Sequence, residues 1–249
     1  DGIPYYLVDF LDIKENFDAS KFCSMSDALI AAQPRRQFIF AGGTGLYLQA
    51  YFAGMDNLPP ADAKIRAELA RQAEEYGKEY LHKRLAAVDA QSAARIPAGN
   101  IQRVMRALEI FLITGAPASR LRTGANGAQI PPSKAHFFYL NWDKEILNRR
   151  ITRRTEEIFE PMLAEARAAL AAGCPQEIPG LKSLGYREAI ACLNGTMTKA
   201  SALERIIILT RQYAKRQRTW FARYKDMIRI DLDESFDPQQ TARDILGRL

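Results

Sequence analysis

Cysteine, histidine and tryptophan are scarce in this chain: 249 residues hold three, two and two of them. Cys23, Cys174 and Cys192 are odd in number, far apart and without a CxxC pair, which excludes a disulfide framework. With only His82 and His136 beside them, the ligand spacing of a zinc site is absent too. A reducing cytoplasm is the compartment such usage predicts. Long apolar runs are also missing; the longest resemble "IFLI" at 110–113, far short of the roughly 18 residues a membrane-spanning helix needs. The first residues, "DGIPYYLVDFLDIKENFD", are acidic and lack the basic-then-apolar order of a secretion signal. No internal repeat or low-complexity tract occurs, and GxxxxGK[ST], the phosphate-binding signature, is found nowhere.

What is present is ordinary for a globular protein, 47% apolar and 26% charged, enough for one core or for one core with a smaller satellite. The net charge of +6 is unevenly placed. Much of the excess lies in "DKEILNRRITRR" (143–154) and "ERIIILTRQYAKRQRTWFARYK" (204–225). Clustered positive charge interleaved with aromatics is the electrostatic footprint of a nucleic-acid surface, although a solvated basic helix face shares that composition.

Residues 5–11 and 37–41 read as strands around a helix at 20–32, a βαβ unit that implies a parallel sheet. Two more strands are expected at 136–142 and 227–233, which makes an undersized sheet. From residue 62 to about 122 the pattern is helical, with Asn100 as an N-cap and Gly115 as a stop. A Gly, Ala and Pro-rich connection at 123–133 leads back to the core. Helices are expected at 144–172 and 200–224. The expected division is 1–61 as a first part of an α/β core, 62–125 as a helical insertion, and 126–249 as the second part of the core with C-terminal helices.

Three constellations carry chemistry. In "FIFAGGTGLYLQAY" (38–51) an apolar strand runs into a glycine-rich loop at the mouth of a helix, and Thr44 supplies a hydroxyl there. A tight turn would use the same glycines, and the lysine of a phosphate loop is missing. In the C-terminal helix, Thr210 and Gln217 interrupt the apolar stripe and so face inward or line a cavity, while Arg211, Lys215 and Arg218 share a flanking face. Such a face suits a channel for an unstacked RNA strand. Arg149, Arg150, Arg153 and Arg154 crowd together; either nearby glutamates or a diphosphate would neutralise them.

Taken in order, "GIPYYLVDFLD", "AGGTGLYLQA", "LPPADAKIRAEL", "QRVMRALEIFLITG", "IPGLKSLGYREAI" and "LTRQYAKRQRTWF" resemble the tRNA dimethylallyltransferase (tRNA isopentenyltransferase) family from Gly2 to Phe221. The resemblance implies an α/β core like that of P-loop kinases, incomplete at its N-terminal end, with a helical insertion that embraces the tRNA anticodon stem-loop. It implies transfer of the five-carbon group of dimethylallyl diphosphate to N6 of adenosine 37 in tRNAs reading codons that begin with U. Mg²⁺ is the implied cofactor, a cytoplasmic monomer the implied state, and no membrane is involved. Thr44 would then meet the flipped adenosine, which is why its loop wants no lysine.

Carried over by position, Arg66 matches a tRNA-contacting arginine of the insertion, and Gln102, Arg103 and Arg106 match its "QRxxR" segment. Lys182, Ser183, Leu184, Gly185, Tyr186 and Arg187 match a further RNA-contacting stretch. Thr210, Arg211, Gln212, Lys215, Arg216 and Gln217 match another. Arg154 falls where the family places an arginine against the donor's diphosphate, so Thr44 and Arg154 are the expected catalytic pair. Asn100 and Ile101 stand where the family has Asp-Pro, and "PYYLVD" stands for "PHHLID". The family's GK[ST] loop and the aspartate base that follows it are missing. The chain is therefore expected to begin partway into the family pattern and to be inactive alone. Two other readings are a non-catalytic RNA-binding protein without a donor site and a small-molecule kinase, the latter disfavoured by the basic C-terminal helix.

Overall fold

In the computed structural model, which describes residues 2–122 and 135–249, Asp18 opens the first helix by accepting a hydrogen bond from the Lys21 backbone N–H at 2.9 Å. Helix α1 runs Ala19–Ala31, close to its expected span, and α2 runs Gly45–Ala53. The strands expected at 5–11 and 37–41 do not form. Leu7 and Asp9 take positive φ, 57° and 50°, which turns the backbone out of an extended path. Neither segment finds a ladder partner among the described residues, and a strand without one leaves its polar groups to water. Aromatic contacts order the region instead. Phe22 stacks on Tyr47 with centroids 5.1 Å apart, Phe17 meets the edge of Tyr47 at 5.8 Å, and the Tyr47 hydroxyl donates to the Phe17 carbonyl at 3.2 Å.

The chain separates into two units, Leu48–Ile130 and the pair Asp1–Tyr47 with Pro131–Leu249. In the first, no strand interrupts residues 62–122: α3 (Ala63–Tyr76), α4 (Lys78–Val88), α5 (Ala90–Arg95), α6 (Ile101–Thr114) and α7 (Ala118–Leu121) follow one another. Asp62 caps α3 by accepting from the backbone N–H groups of Lys64 and Ile65, both at 2.9 Å. Asn100 caps α6, and Gly115 ends it at φ 70°, a left-handed turn that glycine takes without strain. Asp89 is buried and joins two helices by accepting from Ser92 N–H and Ser119 N–H, each at 2.9 Å. Leu69, Leu81, Leu85, Val104, Leu108 and Ile110 form the centre of this unit's own core. The connection expected at 123–133 and the boundary expected at 125 lie outside the described residues.

In the other unit, β1 (Phe138–Trp142) leads into α8 (Lys144–Ala171), α9 (Tyr186–Leu193), α10 (Lys199–Phe221), β2 (Ile228–Leu232) and α11 (Pro238–Leu246). The two strands pair in parallel, with Phe138 opposite Ile228 and Asn141 opposite Asp231, so the three helices between them form the crossover a parallel pair requires. Asp143, just past β1, starts α8 by accepting from Glu145 and Ile146 N–H. Phe159, Leu163 and Ala166 of α8, Ala189 and Ile190 of α9, and Ile206 of α10 pack into one core. Strands and helices thus make a mixed α/β chain with a small parallel sheet. No helix among the described residues is long and apolar enough to cross a membrane.

Candidate functional site

The GGTG loop is shaped by α10. Gln217 Nε2 donates to the Gly43 carbonyl at 3.0 Å, and the Trp220 indole lies against Gly45. A Cβ on Gly43 would stand 2.0 Å from Gln217 Nε2, and one on Gly45 would stand 2.1 Å from Trp220 Cδ1. Neither glycine has positive φ, so both are required for space and not for backbone freedom. Trp220 is steadied by Arg223, whose guanidinium carbon is 3.9 Å from the ring centroid, at cation–π distance. Thr44 is exposed at the mouth of α2, and its carbonyl accepts from Tyr47 N–H at 2.9 Å. The family resemblance implies an RNA contact for Gln217; the structure also gives it this loop. Trp220 belongs to the apolar stripe that the sequence predicts for this helix; its seat against the glycine loop has no sequence signal beyond its place one turn past Gln217.

Along α10, Thr210 spends its hydroxyl on the Ile206 carbonyl at 2.8 Å, one turn back. Arg211 Nη2 donates to Thr152 Oγ1 at 2.9 Å and so ties α10 to α8. Gln212, Lys215 and Arg216 are exposed, the last with its guanidinium 5.6 Å from the Tyr213 ring. The crowded arginines of α8 resolve one by one. Arg149 pairs with Glu234, Arg153 Nε with Glu157 at 2.8 Å, and Arg150 lies 4.2 Å over the Trp142 ring. Arg154 is exposed and has no such partner among the described residues. A shallow cleft of about 360 Å³ between the helices is lined by Arg149, Thr152, Arg153 and Arg211, with Glu145 and Glu156 on its walls.

The stretch from Lys182 to Arg187 bridges a 3₁₀ turn (Gly180–Lys182) and α9. Lys182, Ser183, Leu184 and Arg187 are exposed. Gly185 is buried at φ 97°, and a Cβ there would stand 2.9 Å from Met162 Sδ. The Tyr186 hydroxyl donates to Glu165, and that hydrogen bond, with burial adding to it, pushes the phenol up to about 12.

In the helical unit, Arg66 and Arg106 converge on one carboxylate. Glu109 is fully buried and accepts from Arg66 Nε at 2.8 Å and Arg106 Nη1 at 2.6 Å. Burial pushes its acid up, but the hydrogen bonds from Arg66, Arg106 and the Asp62 backbone outweigh that and hold it below the ordinary glutamate value. Gln102 and Arg103 are exposed on the same helix. Glu109 was not foreseen, though a charged residue inside the apolar run "ALEIFLI" was a signal that it needed buried partners.

A small parallel sheet crossed over by helices, a glycine loop at a helix mouth and a separate helical unit define an α/β protein of the P-loop-like class. The sequence pattern described as IPP transferase matches residues 1–224, and the chain belongs to that family. It is 52% identical over 233 residues to the tRNA dimethylallyltransferase of Elusimicrobium minutum (strain Pei191), covering 93% of this chain and 75% of that protein. The tRNA dimethylallyltransferase of Geobacter metallireducens is 39% identical over 238 residues, covering 94% and 77%. The crystal structure of the full-length tRNA isopentenylpyrophosphate transferase from Bacillus halodurans matches with TM-score 0.65 and 29% identity, over 99% of this chain and 77% of that one. A eukaryotic dimethylallyltransferase captured acting on tRNA shares the fold at TM-score 0.71 and 22% identity, over 99% and 66%.

Proposed function

We propose that this chain serves tRNA prenylation: transfer of the dimethylallyl group of dimethylallyl diphosphate to N6 of adenosine 37 in tRNAs reading codons that begin with U. N6 would form a bond to the allylic carbon, the carbon–oxygen bond would break with its electron pair leaving on diphosphate, and one N6 proton would be released. Thr44 would hydrogen-bond the adenine. Arg154 would meet the diphosphate, since its guanidinium is the one in its cluster with no partner among the described residues. The arginines of the helical unit and the exposed face of α10 would hold the anticodon stem-loop, in a cytoplasmic monomer. Mg²⁺ is also implied by the family. Among the described residues no three His, Cys, Asp or Glu side chains gather into a site for it.

The observation that carries this reading is the packing of the basic helix α10 under the GGTG loop through Gln217 and Trp220. It sets the exposed Thr44 beside a helix whose Arg211, Gln212, Lys215 and Arg216 are open to solvent. The 249-residue chain, which has no GxxxxGK[ST], would bind RNA without turning over. The test is filter binding of a synthetic anticodon stem-loop, together with incubation of the chain with labelled dimethylallyl diphosphate and unmodified tRNA. Expected are salt-dependent binding, no transfer, and binding weakened by about 0.5–1.5 kcal/mol in Thr44→Ala. Transfer by the chain would overturn the inactivity, and absence of stem-loop binding would overturn the tRNA reading. Binding unchanged in Thr44→Ala would leave the loop a turn.

A further inference from the structure

Glu109 has every acceptor site filled. Its Oε1 accepts from Asp62 N–H and Arg66 Nε, both at 2.8 Å, and its Oε2 from Arg66 Nη2 at 3.1 Å and Arg106 Nη1 at 2.6 Å. Two carboxylate oxygens offer about four such sites, so the group is saturated. Arg106 Nη2 is fixed further by the Pro59 carbonyl at 2.6 Å. Neutralising one buried carboxylate needs one cation, yet two are spent here. The second leaves the cluster with net positive charge, on side chains that are 49% exposed for Arg66 and 28% for Arg106. Each guanidinium carries about five N–H donors in a fixed fork, and each has two of them engaged here, so both keep donors free. Gln102 and Arg103, exposed four and three positions before Arg106, lie on the same side of α6.

The geometry points to Glu109 as a positioning residue: from inside the helical unit it holds Arg66 and Arg106 as a two-pronged clamp for a nucleic-acid phosphodiester. The inference rests on the tRNA reading for its ligand and adds the buried group that aims the two arginines. It differs in sign from plain charge counting. Removing the carboxylate raises the local charge by one, so Coulomb attraction alone would tighten RNA binding and steepen its salt dependence. If Glu109 aims the arginines, its loss weakens binding, because freed guanidiniums must be ordered again on each encounter.

The experiment measures affinity for a synthetic anticodon stem-loop against salt for the full chain and its Glu109→Gln, Arg66→Gln and Arg66→Lys variants and the Glu109→Gln/Arg66→Gln pair, with circular dichroism to count folded molecules. Expected for Glu109→Gln is binding weaker by about fivefold or more, with a salt slope flatter by about one. The double variant should lose less than the sum of the two single losses, whereas a merely structural acid would give additive losses. Arg66→Lys keeps the charge but cannot bridge both oxygens, so it should fall as far as Arg66→Gln. Being half-exposed, that site also decides the matter if Glu109→Gln does not fold. Wild-type affinity in Arg66→Lys, or tighter binding in folded Glu109→Gln, overturns the clamp while leaving the tRNA reading intact. Failure of the wild-type chain to bind the stem-loop overturns that reading and the ligand named here with it.

Discussion

Replacing Gly45 by alanine should damage the GGTG loop more than replacing Gly43, although both added methyls land equally close to α10. At Gly45 the new Cβ would stand 2.1 Å from Trp220 Cδ1 and 2.2 Å from Nε1, against about 3.5–4.0 Å for an ordinary contact between carbons. The obstacle is a rigid ring with Arg223 stacked on it, whose Nε also donates to the Trp220 carbonyl at 3.2 Å. Ring or loop must therefore move by more than an ångström. Overpacking of this kind costs about 1–3 kcal/mol, and alanine's helical advantage over glycine returns at most about 1 kcal/mol. A net loss of about 1–2 kcal/mol follows, a fall of roughly 2–8 °C in Tm for a chain of this size. At Gly43 the methyl meets only the flexible end of Gln217, which can swing aside at the cost of one hydrogen bond, about 0.5–1.5 kcal/mol. Both tryptophans, Trp142 and Trp220, lie in the same unit, so their fluorescence during thermal unfolding reports on the unit that holds the loop. Trp220→Leu should remove the cost of Gly45→Ala, and Trp142 would still report. An unchanged or raised Tm in Gly45→Ala, or the same cost in both backgrounds, would refute the steric argument.

Arg154→Ala should weaken binding of dimethylallyl diphosphate, measured by calorimetry, while leaving unfolding within about 0.5 kcal/mol, because the side chain is exposed and holds nothing in place. Arg153→Ala, which removes a side chain already paired with Glu157, is the control, and an equal loss there would dismiss Arg154 as the donor contact. Tyr186 sets an alkaline limit. Its pKa is raised to about 12 by donation to Glu165, so the neutral phenol is the form that folding favours. The stability it adds is full below the ordinary value of 10.0 and fades as pH rises towards about 12. Wild type should therefore lose stability faster than Tyr186→Phe across that window in urea titrations, and parallel curves would show that the hydrogen bond adds nothing.

The helices were legible because their signals are local. Asn100 and Gly115 bracket α6 where capping chemistry says they should, and the expected spans of α8 and α10 lie within three residues of the observed ends. Strands are bargains struck with distant neighbours. Residues 138–142 and 228–232 find one another, whereas 5–11 and 37–41 carry equally apolar patterns and find no partner among the described residues. The site divides the same way. The basic face of α10 could be read from spacing, but the use of Gln217 on a carbonyl 174 positions away could not. Nor could the clamp on Glu109, which depends on Arg66 arriving from another helix 43 positions earlier.

That bond from Gln217 to Gly43 also orders events in time. Chains emerge from the ribosome N-terminal end first, at about 5–20 residues per second, so roughly ten to thirty-five seconds separate the two partners during synthesis. Until α10 has been made, nothing of its amide or of the Trp220 ring is there to press the glycine loop into shape. Thr44 therefore gains its setting only after α10 has been made, and a nascent chain halted before α10 is complete holds every atom of the loop without its form.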